Sequence, residues 1–464
     1  MTTHAPSRFY RAVWRWHFYA GLLVLPFLAW LAVTGGLYVF KNEIDGYFYK
    51  ELKMVPMVGG PVRQPGEIVA AALEAHPGAW FKYTPPARLG ASTEVGIAAR
   101  SGERLAVYVD PNDARVLGSI ADRGSVAWTI RQLHSLKYFG SVARGAIEMA
   151  AGWALLLVAT GIYLWWPRAR RGKAGGVLTV RGQPRQRIFW RDLHAVTGLA
   201  VGAALVFLAV TGMPWSVLWG AQVNRWANGN NFGYPAGVRV QVPMSGQQLA
   251  DAGPTAWSLA QARLPQSTPP AHAGHGADDA HAAHGGAAAS VGIDAATATV
   301  EQLGIAPGYT LTPPRGPAGV YTASAYPDDL SRQRVIHLDR YTGQPLLDMR
   351  YADYGPLGRW LEWGINVHLG QEFGVPNKVV LVLACLGIVL LCVSAAAMWW
   401  KRRPSGSLGV PPPPADRRTL YGVAAMLAIG GVAFPLVGAS LLVMLLIDLL
   451  LFGRGRPGAQ GAVR

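Results

Sequence analysis

Apolar positions in this chain gather into long unbroken runs, separated by polar stretches rich in turn residues. A hydrocarbon core about 30 Å thick is spanned by roughly 20 helical residues, since a helix rises about 1.5 Å per residue. Four runs meet that length, over residues 19–40, 144–167, 193–220 and 377–400, and each reads as a transmembrane helix. A further run over residues 420–453 is too long for one span and is broken by Gly430, Gly431 and Pro435. It is expected to fold as a hydrophobic hairpin.

Between the runs the period changes. Within residues 41–143 the pattern predicts a helix over 67–76, strands over 94–100 and 104–110, and turns at 101–103 and 111–113. Within residues 221–376 it predicts a helix over 294–303, strands over 320–325 and 332–339, and a turn at 340–343. Each segment therefore reads as an α+β domain. Residues 264–290 form an Ala-, Gly- and His-rich insert expected to be disordered. The predicted fold is a membrane α-helical bundle of four core helices plus a C-terminal hairpin, with two α+β domains.

Charge sets the orientation. Lys and Arg outnumber Asp and Glu by 42 to 26 in the 464 residues, but they crowd beside the apolar runs. No separate basic domain suggests a nucleic-acid partner. Residues 168–192 carry Arg168, Arg170, Arg171, Lys173, Arg181, Arg185, Arg187 and Arg191, and the fourth run ends at Lys401, Arg402 and Arg403. Positive charge in short loops marks the cytoplasmic side. Residues 1–18, 168–192, 401–419 and 454–464 are thus expected inside, and 41–143 and 221–376 in the periplasm of a bacterial inner-membrane protein. Arg8, Arg11 and Arg15 precede the first run without a small-residue cleavage site, as in an uncleaved anchor. Cys385 and Cys392 both lie in the fourth run, which leaves no disulfide framework and no Cys-based metal site.

The chain repeats itself. Trp14, Arg15, Trp16 and His17 lead to Gly21 and to Thr34 and Gly35; Trp190, Arg191, Asp192 and His194 lead to Gly198 and to Thr211 and Gly212. The interval from His to Thr is the same in both. His134 is followed by Gly140, Trp165 and Trp166, and His368 by Gly374, Trp399 and Trp400, again with one interval from His to the first Trp.

Four of the eleven histidines occupy these repeated positions, in or beside a span. An ionisable residue at membrane depth is costly and is a functional hypothesis by default. His17 and His194 enter from the cytoplasmic side, whereas His134 and His368 precede the inward-running spans. Two imidazoles on facing helices can fill both axial positions of one iron, which suits electron transfer. Two haems, one per leaflet, would make a transmembrane path, and without Cys-x-x-Cys-His they would be b-type. A continuous helix from His134 to Trp165 would run about 46 Å, beyond the core. The outer histidines are therefore expected on short bent segments, with breaks near Gly140 and near residues 374–376.

The insert carries His272, His275, His281 and His284 as two His-x-x-His pairs around Asp278 and Asp279. Loose metal capture and a plain linker are both open for it. His4, His76 and His337 read as ordinary surface or packing residues.

The segment Leu133, His134, Ser135, Leu136 ahead of a span ending Trp165, Trp166, Pro167, Arg168, the His17 and His194 segments, and the terminal Phe434, Pro435, Leu436, Gly438 and Ser440 resemble the PepSY-associated transmembrane family. The likeness covers nearly the whole chain; the His-rich insert departs from the usual pattern. It implies PepSY-type domains in the periplasm and suggests a di-haem ferric-siderophore reductase. No Gly-x-Gly-x-x-Gly fingerprint opens a strand-helix unit, so the donor is expected to be a quinol or a separate cytoplasmic flavoprotein. The acceptor is expected to be a periplasmic ferric chelate. Two other readings stand beside this one: a non-redox scaffold binding a periplasmic peptide or protein, and a metal-uptake protein. Against the latter, the spans offer only Glu148 and Asp448 as carboxylates.

Overall fold

The computed structural model describes residues 8–57, 61–169, 176–229, 243–253, 255, 259, 262–269, 290–404 and 417–452. The insert histidines His272, His275, His281 and His284 lie outside them, as does His4. The chain opens with α1 (Arg8–Tyr38), α2 (Lys41–Phe48), α3 (Lys50–Lys53) and α4 (Pro65–Ala75). Strands β1 (Gly78–Thr84), β2 (Thr93–Ala99), β3 (Arg104–Val109) and β4 (Val116–Ala121) follow. Next come α5 (Val126–His134), α6 (Gly140–Ala169), α7 (Arg187–Gly212) and α8 (Leu218–Gly229). The second half adds β5 (Met244–Gln248), α9 (Leu249–Ala252), β6 (Arg263–Pro265), α10 (Ile293–Gln302) and β7 (Thr310–Thr312). After β8 (Val320–Ala325), β9 (Arg334–Asp339) and β10 (Pro345–Arg350), the chain ends on α11 (Pro356–His368), α12 (Val375–Arg402), α13 (Arg417–Ala433) and α14 (Pro435–Phe452). These elements sort into two compact units: a helical one (residues 1–39, 131–223 and 378–464) and a sheet unit (40–130 and 224–377).

In the helical unit, α1, α6, α7 and α12 are long and apolar enough to cross a membrane. Helix α1 begins at Arg8, well before the apolar run, so His17 lies inside a helix and not in an N-terminal tail. Its Ala20, Val24, Leu28 and Ala32, spaced one helical turn apart, form one buried face. They pack with Ala150, Trp153 and Ala154 of α6, Val201 and Leu205 of α7, and Ile388 and Cys392 of α12. Between lipid-solvated helices such small residues let backbones approach closely, which is what drives association.

The third apolar run is divided. Helix α7 stops at Gly212, and Met213–Trp215 form a 3-10 turn because Pro214 has no N–H to continue the ladder. Helix α8 then starts afresh, its Leu218 and Trp219 N–H groups donating to the Glu148 carboxylate at 2.8 and 3.0 Å. Glu148 is 4% exposed. A buried carboxylate at a helix start satisfies orphan donors and complements the helix dipole, which gives Glu148 a structural role.

The C-terminal run is a hairpin. Gly431 of α13 and Gly438 of α14 would be about 10.5 Å apart in a straight helix, yet a Cβ on Gly431 would lie 2.8 Å from Gly438 Cα. The hairpin lies on α6, where Trp153 Nε1 donates to Ser440 Oγ at 2.8 Å.

In the sheet unit, the segments expected as two α+β domains meet in one antiparallel sheet of order β10-β9-β8-β7-β1-β2-β3-β4. The halves join edge to edge through β1 and β7, at Tyr83 opposite Leu311. Each half contributes four strands to this sheet and one helix to the core against it. Helix α4 begins beside α10, with Gly66 N–H donating to Asp294 Oδ1 at 2.7 Å. Ile68, Val95, Ile97 and Val107 of the first half share a single core with Val300, Leu311, Ile336 and Leu338 of the second. On this face the two halves enclose one core between them. The turns after β3 and β9 are built alike: Asp110 Oδ1 accepts from Asn112 N–H, and Asp339 Oδ1 from Tyr341 and Thr342 N–H, as Asx turns do.

The halves differ on the opposite sheet face. Every residue of β8 and β9 is buried, because Leu249, Leu259 and Leu264 from the β5–β6 region cover Val320, Val335 and Met349. On the helix-bearing face Arg334 pairs bidentately with Asp348 at 2.7 and 2.6 Å and donates to the Leu303 carbonyl just after α10.

Candidate functional site

The repeated histidines occupy equivalent places in their elements. His17 lies in the first third of α1 and His194 in the first third of α7. Both belong to the helical unit, where they stand within Coulombic reach of each other. His134 is the last residue of α5, and His368 the last of α11. Each ends a short helix just ahead of a long apolar one, as the length of the sequence interval requires.

Matched backbone breaks produce those endings. Leu136 adopts φ +51° and Gly140 φ +83°; at the matching positions of the second half, Gly370 adopts φ +76° and Gly374 φ +59°. Left-handed φ is open to glycine and costs a side-chain-bearing residue about 1–2 kcal/mol, so Leu136 is held there by its surroundings. Trp30 Nε1 donates to Leu133 O at 2.8 Å, which fixes the end of α5 against α1. The end of α11 is fixed within its own unit. Asn366 donates to Asp328 O and Glu372 Oε2, and Asn377 to Val367 O.

Three of the four imidazoles meet a hydroxyl on another helix through Nδ1. His17 Nδ1 lies 2.8 Å from Thr160 Oγ1 of α6, and His134 Nδ1 2.9 Å from Thr34 Oγ1 of α1. His194 Nδ1 lies 3.2 Å from both Ser394 Oγ and Leu391 O of α12. His368, in the sheet unit, is half-buried.

Glycine makes room for the rings. A Cβ on Gly35 would stand 3.2 Å from His134 Cε1, and one on Gly161 3.4 Å from His17 Cε1. One turn beyond His17 on the same helix face, a Cβ on Gly21 would meet nothing within 4 Å. Imidazoles engaged through Nδ1 and a glycine-cleared helix face suit a flat group ligated through Nε2. The donor chemistry therefore fits haem.

Two positions before these histidines the repeat carries opposite charges, Arg15 and Asp192. Asp192 is fully buried and binds Arg181 at 2.8 Å and Arg191 at 2.7 Å, tying the preceding loop to the start of α7. Arg15 is 7% exposed and donates to the Tyr19 hydroxyl at 3.2 Å. The sequence pattern contained both residues without marking them.

Thr160 and Ser394 were also unmarked in the sequence, although a signal exists. Thr160 follows His134 at the same interval by which Ser394 follows His368. By contrast, His337 of β9 is 1% exposed, bonds Thr322 Oγ1 at 2.9 Å, and is pushed down by burial to a pKa of about 3. It is a packing residue of the sheet.

No curated protein is significantly similar to the chain. The family model described as the PepSY-associated TM region matches residues 14–402, a stretch that includes all four repeated histidines and both halves of the sheet. This multi-pass membrane chain thus belongs to the PepSY-associated TM family.

Proposed function

We propose that the chain is a di-haem b oxidoreductase of a bacterial inner membrane. It takes electrons from a quinol or a cytoplasmic flavoprotein and delivers them singly to a periplasmic ferric siderophore or another ferric chelate. The observation that carries this reading is the pairing of His17 and His194. They occupy matched repeat positions on two spanning helices, stand within Coulombic reach, and each engages Nδ1 so that Nε2 is the remaining donor.

In this reading His17 and His194 bind one iron on the cytoplasmic side, and the repeat assigns His134 and His368 to a second on the outer side. The two haems supply one-electron carriage across the bilayer. The basic residues around 168–192 and 401–403 support an N-terminus inside and a sheet unit in the periplasm. A negative interior then favours outward electron movement by about 2.3 kcal/mol per 100 mV.

The test is haem content, with dithionite-reduced minus oxidised spectra, of the wild type and of His17→Ala, His194→Ala, His134→Ala and His368→Ala. Two haems per chain falling to one in each variant, with loss of ferric-chelate reduction in all four, is the expected result. A wild type without a haem band would show that the histidines serve a non-redox scaffold.

A further inference from the structure

We propose that Thr160, Ser394 and Thr34 are positioning residues: their hydroxyls hold His17, His194 and His134 as Nδ1–H tautomers and so reserve Nε2 for iron. This rests on the di-haem reading and concerns how this chain prepares its ligands.

A hydroxyl beside a histidine can donate or accept, and here the helix decides. Thr160 Oγ1 lies 2.7 Å from Leu156 O, and Thr34 Oγ1 2.7 Å from Trp30 O, in each case the carbonyl one helical turn back. Ser394 Oγ lies 2.9 Å from Leu391 O, likewise in the preceding turn. A carbonyl can only accept, so each hydroxyl proton is committed to its own helix. The oxygen that remains offers lone pairs alone, and the facing Nδ1 must carry the proton. For His194 the Leu391 carbonyl, 3.2 Å from Nδ1, forces the same conclusion independently.

Duplication argues that these hydroxyls belong to the site. Thr160 and Ser394 stand at one shared spacing from His134 and His368, and Thr34 and Thr211 at another from His17 and His194. Thr211 makes the same back-bond to its own helix, to Phe207 O at 2.7 Å. Serine at one position and threonine at the other keep the hydroxyl while changing the methyl. What the two halves retain is the acceptor oxygen.

An N–H bond from a ligating imidazole fixes the ring, raises its basicity and thereby favours ferric iron; loss of such a partner commonly costs roughly 10–100-fold in metal affinity. The test uses full-length protein purified with its haem. Thr160→Val keeps the volume and removes the hydroxyl; Thr160→Ser restores it; Ser394→Ala is the milder second variant, because the Leu391 carbonyl stays. Haem loss to excess apomyoglobin and the midpoint potential of each haem are the readouts.

In Thr160→Val one haem should bind roughly 10–100-fold more weakly and titrate at a higher potential, with the other unmoved. Thr160→Ser should match wild type, and Ser394→Ala should shift the same haem by less. Unchanged affinity and potential in both Thr160→Val and Ser394→Ala, while His17→Ala still loses its haem, would overturn the positioning role and leave the di-haem reading standing. A wild type without haem would overturn both.

Discussion

His337 in the sheet unit and His17 in the helical unit make the same first contact. Each brings Nδ1 to a threonine hydroxyl, Thr322 at 2.9 Å and Thr160 at 2.8 Å. Their surroundings differ. His337 is buried within β9 beside Thr322 of β8, and the corresponding residue two before the Asx-turn aspartate of the first half is Tyr108, also buried but not a histidine. His17 has a partner in register, His194, with a glycine-cleared helix face beside it. A hydroxyl-bonded histidine is therefore no site by itself. On the proposed reading, repetition and room beside the ring separate a ligand from a packing residue.

Exchanging the two losses should give the largest contrast. His337→Ala removes a buried ring and leaves the Thr322 hydroxyl in a dry layer, which should destabilise the sheet unit by about 2–4 kcal/mol and leave haem content unchanged. His17→Ala should lose haem and leave the sheet unit's stability unchanged. Urea unfolding followed by hydrogen exchange of the β8 and β9 amides, with haem assayed in parallel, would read both. Haem loss in His337→Ala would erase the distinction.

A smaller effect separates the same residues by pH. Burial holds His337 near a pKa of about 3 against an ordinary value of 6.5, so between those values the unfolded chain binds the extra proton. The His337 contribution is fully present above pH 6.5 and is lost as pH falls toward 3, at up to about 1.4 kcal/mol per pH unit. The wild-type urea midpoint for the sheet amides should fall through that window, and His337→Leu should flatten the dependence. An equally steep dependence in His337→Leu would assign it to other groups.

Much of the helical unit was legible because its signals are local. Apolar runs of spanning length marked the membrane helices, and Gly430, Gly431 and Pro435 marked the hairpin. The arithmetic from His134 to Trp165 required the break that Leu136 and Gly140 make. The helix over 67–76, the strands over 94–100 and 104–110, and the 320–325 strand also lie close to the observed bounds of α4, β2, β3 and β8. What stayed hidden is non-local. Strand β7 is very short and joins β1 at Tyr83 and Leu311, which lie in opposite halves of the sequence, so nothing nearby announces that the two halves share one sheet. Strands β4 and β10 carry half-buried positions without clean alternation. Thr160 and Ser394 escaped because one hydroxyl in an apolar run looks like a tolerated polar residue until the spacing to the histidines is compared.

The central claim is that His17 and His194 serve one iron. Haem stoichiometry in two double variants tests it most directly, because residues acting as a unit lose function together and not additively. His17→Ala with His194→Ala should retain one haem per chain, the same as either single variant, while His17→Ala with His134→Ala should retain none. A first double variant without haem, or a second that keeps one, would contradict the pairing.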